Sequence, residues 1–467
     1  MKIEIILISI FLIGFEFTAN AQHEHSMHLN SDTMKHHTVQ DSSKMLMDHP
    51  MQDATDTSMA GMQMDMPMGH SFSLNLPMGR NGSGTTWLPD ASPMYGIMLH
   101  SKKWMYMLHG NVALRYTKQD LGNKGSRGGD MFDAPNWFMA MGQRKVGKSG
   151  LFHFDVMLSL DRFTEGGDGY PLLFQTGESW KGIPLVDKQH PHDLFSALSI
   201  GYTHALSEKS DLSIYLGYPG EPALGSVAFM HRPSAFANPD APISHHWNDG
   251  THITFGVLTL GYRYDKFKIE ASSFTGREPD ENRYDFDKPR FDSYSGRLSF
   301  NPSENWSFQA SHGWIKSPEL THPGEDVNRT IASAIYSRSL GKKKSFNATA
   351  LWGLNKTKNH DGENAALVEA SYRLRKLEVY TRYEWVQKSV EELDLDEVQY
   401  GKHTLFPVNA LSLGLHYDVV TIGKMRMAAG GQLSAYHTDA TLTELYGKNP
   451  YSGQVFLRIY PGLMNMK

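Results

Sequence analysis

Not one of the 467 residues is cysteine, which excludes disulfides and thiolate metal sites and leaves any metal to histidine, methionine and the carboxylates. Long apolar runs are scarce too. Past the N-terminal 22 residues, no stretch reaches the roughly 20 apolar residues of a membrane-spanning helix, and mean hydropathy is -0.44. Nor is there an excess of positive charge: the formal net charge of -5 argues against a nucleic-acid partner. No P-loop, serine elbow or His-Glu-x-x-His string occurs, so no enzyme is expected. If this chain meets a membrane, strands must carry it.

What is present begins with MKIEIILISIFLIGFEFTANAQ, in which Lys2 precedes an apolar run and Ala19-Asn20-Ala21 forms a small-residue cleavage site. This reads as a signal peptide over 1–21. Glutamine rather than cysteine follows the cut, which speaks against a lipid anchor. Residues 22–70 are a low-complexity tail, expected to be disordered and to bind metal. Its candidate ligands are Met27, His28, His36, His37, Met45, Met47, His49, Met51, Met59, Met62, Met64, Met66, Met68 and His70. Thioethers suit Cu(I) and Ag(I), imidazoles suit Cu(II), Cu(I) and Zn(II), and the mixture points to copper. The bland alternative is a solvated linker, although such linkers favour Ser, Gly, Glu and Lys over methionine. Residues 71–102, punctuated by Gly82, Gly84, Pro89 and Pro93, read as a linker.

From residue 103 the pattern changes to period-two alternation in segments of about ten residues, rich in aromatics and aliphatics. About sixteen strands follow, the first near 104–117 and the last near 452–460. Their connections alternate in length: short at 207–210, 264–265, 302–304 and 375, long at 162–193, 220–250, 276–290 and 388–408. That rhythm predicts an all-β, antiparallel, transmembrane outer-membrane barrel over 103–461, with a C-terminal extension over 462–467. In KLEVYTRYEWVQ, Leu377, Val379, Tyr383 and Trp385 form a lipid face, and Glu378, Tyr380, Arg382 and Glu384 an aqueous one. So many strands leave room for a water-filled lumen.

Two sets of barrel residues could carry chemistry. The inward face of the first three strands offers Met105, Met107, His109, Met139, Met141, His153, Asp155 and Met157, either as a relay of weak metal sites or as lumen filling. Two long loops at the same end carry His190, His192 and Asp193, and His231, His245, His246 and His252. These read as an imidazole and carboxylate metal site, or as hydrogen-bonding pins for a plug. The second loop, with Val227, Phe229, Phe236 and Ile243, is apolar enough to fold inward. The charged loop at 274–287, containing Arg277, Glu278, Asp280 and Glu281, reads as solvated.

The order of signal, Met/His-rich tail and barrel resembles the outer-membrane copper resistance protein B family. MLMDHPM (45–51) and MQMDMPMGH (62–70) carry that likeness. The layout of 103–461 looks like a bacterial porin, although PGLMNMK follows Tyr460 where porins usually end on an aromatic residue. The resemblance implies copper tolerance at the outer membrane. The expected function is therefore copper or silver homeostasis, with the periplasmic tail capturing ions and sequestering them or passing them to the pore. Outer-membrane lipid, metal ions and periplasmic copper-handling proteins are the expected partners. The alternatives are a general diffusion porin or transporter with an incidental tail, and a metal-dependent enzyme using the loop histidines.

Overall fold

Alternating apolar and polar residues are what a strand needs when lipid lies on one side and a polar lumen on the other. The computed structural model, which describes residues 72–358 and 362–464, carries that alternation round a closed sheet. In chain order the first strands are β1 (Ile97–His100), β2 (Met105–Gln119), β3 (Gly129–Asp133), β4 (Asn136–Val146), β5 (Gly150–Leu158), β6 (Tyr170–Trp180) and β7 (Ile183–Gln189). Then come β8 (Phe195–Ser207), β9 (Ser210–Gly217), β10 (Val257–Tyr264), β11 (Phe267–Phe274), β12 (Ser293–Ser303) and β13 (Trp306–Ile315). The last are β14 (Val327–Ser339), β15 (Lys344–Lys356), β16 (Glu363–Leu374), β17 (Leu377–Ser389), β18 (Leu405–Ile422), β19 (Met425–His437) and β20 (Tyr451–Pro461).

Sixteen of these make the barrel, each antiparallel to its neighbour, and β2 closes it by pairing with β4 on one side and β20 on the other. β1 and β3 extend the ladder at either end of β2, while β6 and β7 form a separate hairpin. The sixteen wall strands agree with the sequence pattern; β1, β3 and the hairpin were not expected from it.

The wall is turned inside out relative to a soluble protein. Leu260, Ile269, Leu298, Leu413, Leu433 and Val455 project outward from their strands, whereas Arg115, Arg297, Glu369, Arg373, Glu378 and Arg382 are buried on the inner face. Covering each outward Leu or Ile with lipid is worth about 1.5–3 kcal/mol, and the inner charges meet partners instead of hydrocarbon.

The lumen is not filled by water, as the strand count implied, but by three stretches of the chain. At the short-turn end the expected linker is a folded floor. The Ser73 hydroxyl donates to Asp211 at 2.7 Å, the Ala91 N–H to the Glu304 carbonyl at 2.9 Å, and Asn301 and Ser307 donate to the carbonyls of Leu88 and Trp87 at 2.8 and 3.1 Å. The irregular backbone of 72–96 survives inside the barrel because polar wall residues satisfy it.

Across the middle runs 219–256, buried almost throughout, as the apolar content of this loop predicted. One wall holds it where Ser272 Oγ accepts from the Ala223 N–H at 2.8 Å. Another holds it where Arg115, Gln432 and Gln454 donate to the Asp240 carboxylate at 2.5, 2.7 and 2.8 Å. At the long-loop end the β6–β7 hairpin folds in, and Leu173, Phe174, Trp247, Val390, Leu393 and Tyr446 make a dry core. Phe174 stacks on Tyr446 with ring centroids 4.0 Å apart.

Candidate functional site

Two clusters of metal-type donors lie one beyond the other along 219–256. The first gathers histidines from two stretches of chain. The residues 190–193 leave β7 in an extended path enforced by Pro191 and bring in His190 and His192. A single helical turn, His245–Asn248, places His245 and His246 beside them, and His252 follows. Ring centroids are 5.8 Å apart for His190 and His192, 5.4 Å for His192 and His252, 4.8 Å for His252 and His245, and 6.1 Å for His245 and His190. His246 packs 5.4 Å from His190 and 5.2 Å from His245.

Each ring is oriented from behind. His192 Nδ1 donates to Asp161 and His245 Nδ1 to Asp249, both at 2.7 Å, and His252 Nδ1 donates to the Asp249 carbonyl at 2.9 Å. A carboxylate or carbonyl only accepts, so the proton sits on Nδ1 and Nε2 keeps its lone pair. His190 is held the other way round, with Nε2 at 3.1 Å from Glu178, and His246 faces Glu278 at 3.6 Å. The Nε2 atoms of His192, His246 and His252 are buried without a hydrogen-bond partner, a condition that costs about 1–3 kcal/mol each. Burial, reinforced by the neighbouring imidazoles, holds His190 and His252 well below the usual histidine range. Burial also lowers His245 against the pull of Asp249. His190, His245 and His252 are therefore neutral at neutral pH and free to ligate.

Carboxylate-backed Nδ1 with open Nε2 is the usual arrangement of metal-binding histidines. The rings are gathered but not clenched. Among the described residues, the donor trio already within 4.8 Å of one another is Asp280, Asp285 and Asp287, in the loop before β12. The imidazole nitrogens must draw together to share one ion. Gly177 supplies the space they need: a Cβ there would meet His246 Nε2 at 2.4 Å, and its φ is +105°. Gly177→Ala should push His246 out of the cluster and cost about 1–3 kcal/mol in backbone strain, measured as a lower unfolding midpoint of the detergent-solubilised protein.

The second cluster lies on the other side of Phe229, whose ring is 5.4 Å from His245 and 6.3 Å from His192. The next residues, Met230 and His231, turn away into a cavity of about 80 Å³ that they share with Met94, Met107, Met139, Met141 and His109. His231 stands 5.7 Å from His109 and 4.8 Å from Trp137, and burial lowers its pKa to about 4. Met78, Met98, Met105 and Met464 extend the thioether cluster toward the floor.

All eight residues expected on the inner face of the first strands do point inward. Met105, Met107, His109, Met139 and Met141 come together. Met157 is buried in the wall opposite Met139, His153 lies under the Phe72 ring at 3.8 Å, and Ser199 donates to Asp155 at 3.0 Å. His153, Asp155 and Met157 do not line the cavity, so an unbroken relay across three strands is not what forms.

Of the loop set, His190, His192, His245, His246 and His252 converge, while His231 belongs to the other cluster. Asp193 instead accepts from Arg283 at 3.2 Å. Nor is the 274–287 loop simply solvated: Glu278 reaches the histidines and Arg283 is buried. Met78, Met94, Met98, Met464, Asp161 and Glu178 were missed. The first three sit in a stretch whose Trp87, Leu88, Tyr95 and Ile97 signal burial more strongly than its prolines signal a linker. The tail ligands from Met27 to His70 lie outside the described residues, as does the signal segment.

A closed sixteen-stranded barrel with an apolar exterior and a charged interior is a transmembrane barrel of the outer-membrane type. No protein-family model and no curated protein matches the chain. Among solved structures it is similar to OmpF of Salmonella typhi in complex with daunomycin, at 9% identity and a TM-score of 0.49, covering 78% of this chain and 100% of that one. An anion-selective porin from Comamonas acidovorans gives 11% identity, a TM-score of 0.44 and coverages of 77% and 99%. The outer membrane channel DcaP of Acinetobacter baumannii gives 10%, 0.44, 78% and 99%.

Proposed function

We propose that this protein is an outer-membrane channel of the occluded kind, in which 219–256 closes the lumen and the histidine cluster it carries is a cation station on the path. The observation behind this reading is that one segment both crosses the barrel and supplies His245, His246 and His252. Imidazoles beside Glu178 and Glu278 favour borderline divalent ions, Zn(II) or Cu(II), over alkali metals. This departs from a general diffusion pore, whose lumen stays open. The long-loop end faces outward and the floor faces the periplasm.

In planar bilayers the full-length protein should pass only small, intermittent potassium currents, and Zn(II) added on the long-loop side should suppress them. A wide, ohmic conductance insensitive to Zn(II) would restore the open diffusion porin.

A further inference from the structure

The cavity beyond Phe229 carries a more specific message than the histidine cluster. Five thioethers reach it from four separate stretches of chain: Met94 from the floor, Met107 from β2, Met139 and Met141 from β4, and Met230 from the crossing segment. Two imidazoles join them. His109 Nε2 is buried with no hydrogen-bond partner, and His231 faces the same space.

Methionine is a good filler of irregular gaps, but filler would leave neither a cavity nor an orphaned ring nitrogen beside it. No carboxylate lines the space, and its one charged side chain, Arg232, is already committed to Glu369 at 2.7 Å and Asp249 at 2.8 Å. A divalent ion would find no compensating charge, and a hard ion would find few oxygens. A soft monovalent ion finds thioether sulfur, a neutral imidazole and, in Trp137, an aromatic ring 5.1 Å from His109, which adds a cation–π contribution.

We infer that this cavity is a binding site for a thiophilic monovalent ion, Cu(I), with Ag(I) as its chemical analogue. The inference names a cargo for the proposed channel and in that respect rests on it, but occupancy of the site does not depend on transport. Its ligands come from floor, wall and crossing segment, so a bound ion ties all three together.

The test uses the full-length protein and Ag(I), which needs no reductant. Crystals soaked in Ag(I) should show an anomalous peak between Met107, Met139, Met141 and Met230. In solution, Ag(I) should raise the unfolding midpoint of the barrel, and Met139→Leu/Met141→Leu should weaken that rise at least about tenfold in the Ag(I) concentration required, since leucine conserves volume without the sulfur. Met→Leu changes in the 22–70 tail should leave it intact. A midpoint shift unchanged in the cavity variant would overturn the inference, as would an empty cavity in soaked wild-type crystals, whether or not the variant folds. An anomalous peak together with currents indifferent to Ag(I) would uphold the site and count against the channel reading instead.

Discussion

Arg232→Ala should turn an almost silent barrel into a conducting one. Arg232 is fully buried on the crossing segment, and its guanidinium ties two other points of that segment to the barrel wall. It donates to Glu369 on β16 at 2.7 Å, to Asp249 behind His245 at 2.8 Å, and to the Val227 carbonyl at 3.2 Å. Removing it leaves Glu369 with Arg382 at 3.0 Å and Asp249 with His245 at 2.7 Å as their remaining basic partners, a loss bounded above by the roughly 3–5 kcal/mol of a fully broken buried pair. The barrel ladder does not depend on this residue, so the penalty falls on the docking of 219–256. The expected result is a several-fold rise in single-channel conductance with the heat-resistant barrel band retained on a gel. Arg232→Lys keeps the charge but loses the fork, and should fall between the two. Unchanged conductance in Arg232→Ala would mean that the segment is held elsewhere, at Asp240.

The second large effect is expected at Asp161, which touches no ion itself. Its two carboxylate oxygens accept from His192 Nδ1 at 2.7 Å and from the Asn136 N–H at 2.9 Å. Asp161→Asn keeps the shape and one acceptor but can present an amide N–H to His192, which moves the ring proton to Nε2 and blocks the lone pair facing the other histidines. Losing such a backing carboxylate typically weakens metal binding by about 10–100-fold. Titrating the full-length protein with Co(II) and following its visible absorption reads this directly, since histidines of the tail contribute equally to wild type and variant. Superimposable titrations would show that the five imidazoles serve as pins for the crossing segment and do not ligate an ion.

The barrel wall was legible because lipid imposes a strict period of two. β17 shows why: Leu377, Val379, Tyr383 and Trp385 face out and Glu378, Tyr380, Arg382 and Glu384 face in, as alternation alone implied. The pattern failed where that constraint lapses. β10 begins at Val257 rather than near 251 because the preceding residues still belong to the crossing segment. The β6–β7 hairpin was invisible because it lies inside the lumen, where Leu172, Leu173, Phe174 and Gln175 are all buried and no alternation survives. β6 itself needs left-handed backbone at Phe174 and Glu178, and the turn after it at Lys181, which no propensity would assign.

The candidate site divided the same way. Histidines stood out by composition, and their convergence followed from two loops sharing one end of the barrel. The groups that orient them, Asp161 and Glu178, had no sequence mark because each is positioned by tertiary contacts alone. The thioether cavity was partly visible in β2 and β4, but Met94 hid in residues 72–98, where prolines and glycines resembled a tether, and Met230 and His231 reach it from the crossing segment.

The seam between the first and last wall strands places a demand on assembly. β2 pairs with β20 only over Val112–Lys118. Below that, the gap is occupied by β1 and by the chain leading into it: Leu463 bridges Tyr95, and the Met464 N–H donates to the Met94 carbonyl at 2.8 Å. Residues 462–464 are thus not a loose extension but the clasp that receives the floor. The sheet cannot be sealed along its full height until 72–96 has been drawn inside, because the strand that completes the seam is the exit of that very stretch. Sealing the seam over its full height and drawing in 72–96 are therefore coupled, whereas the Val112–Lys118 pairing closes the upper part of the cylinder without them.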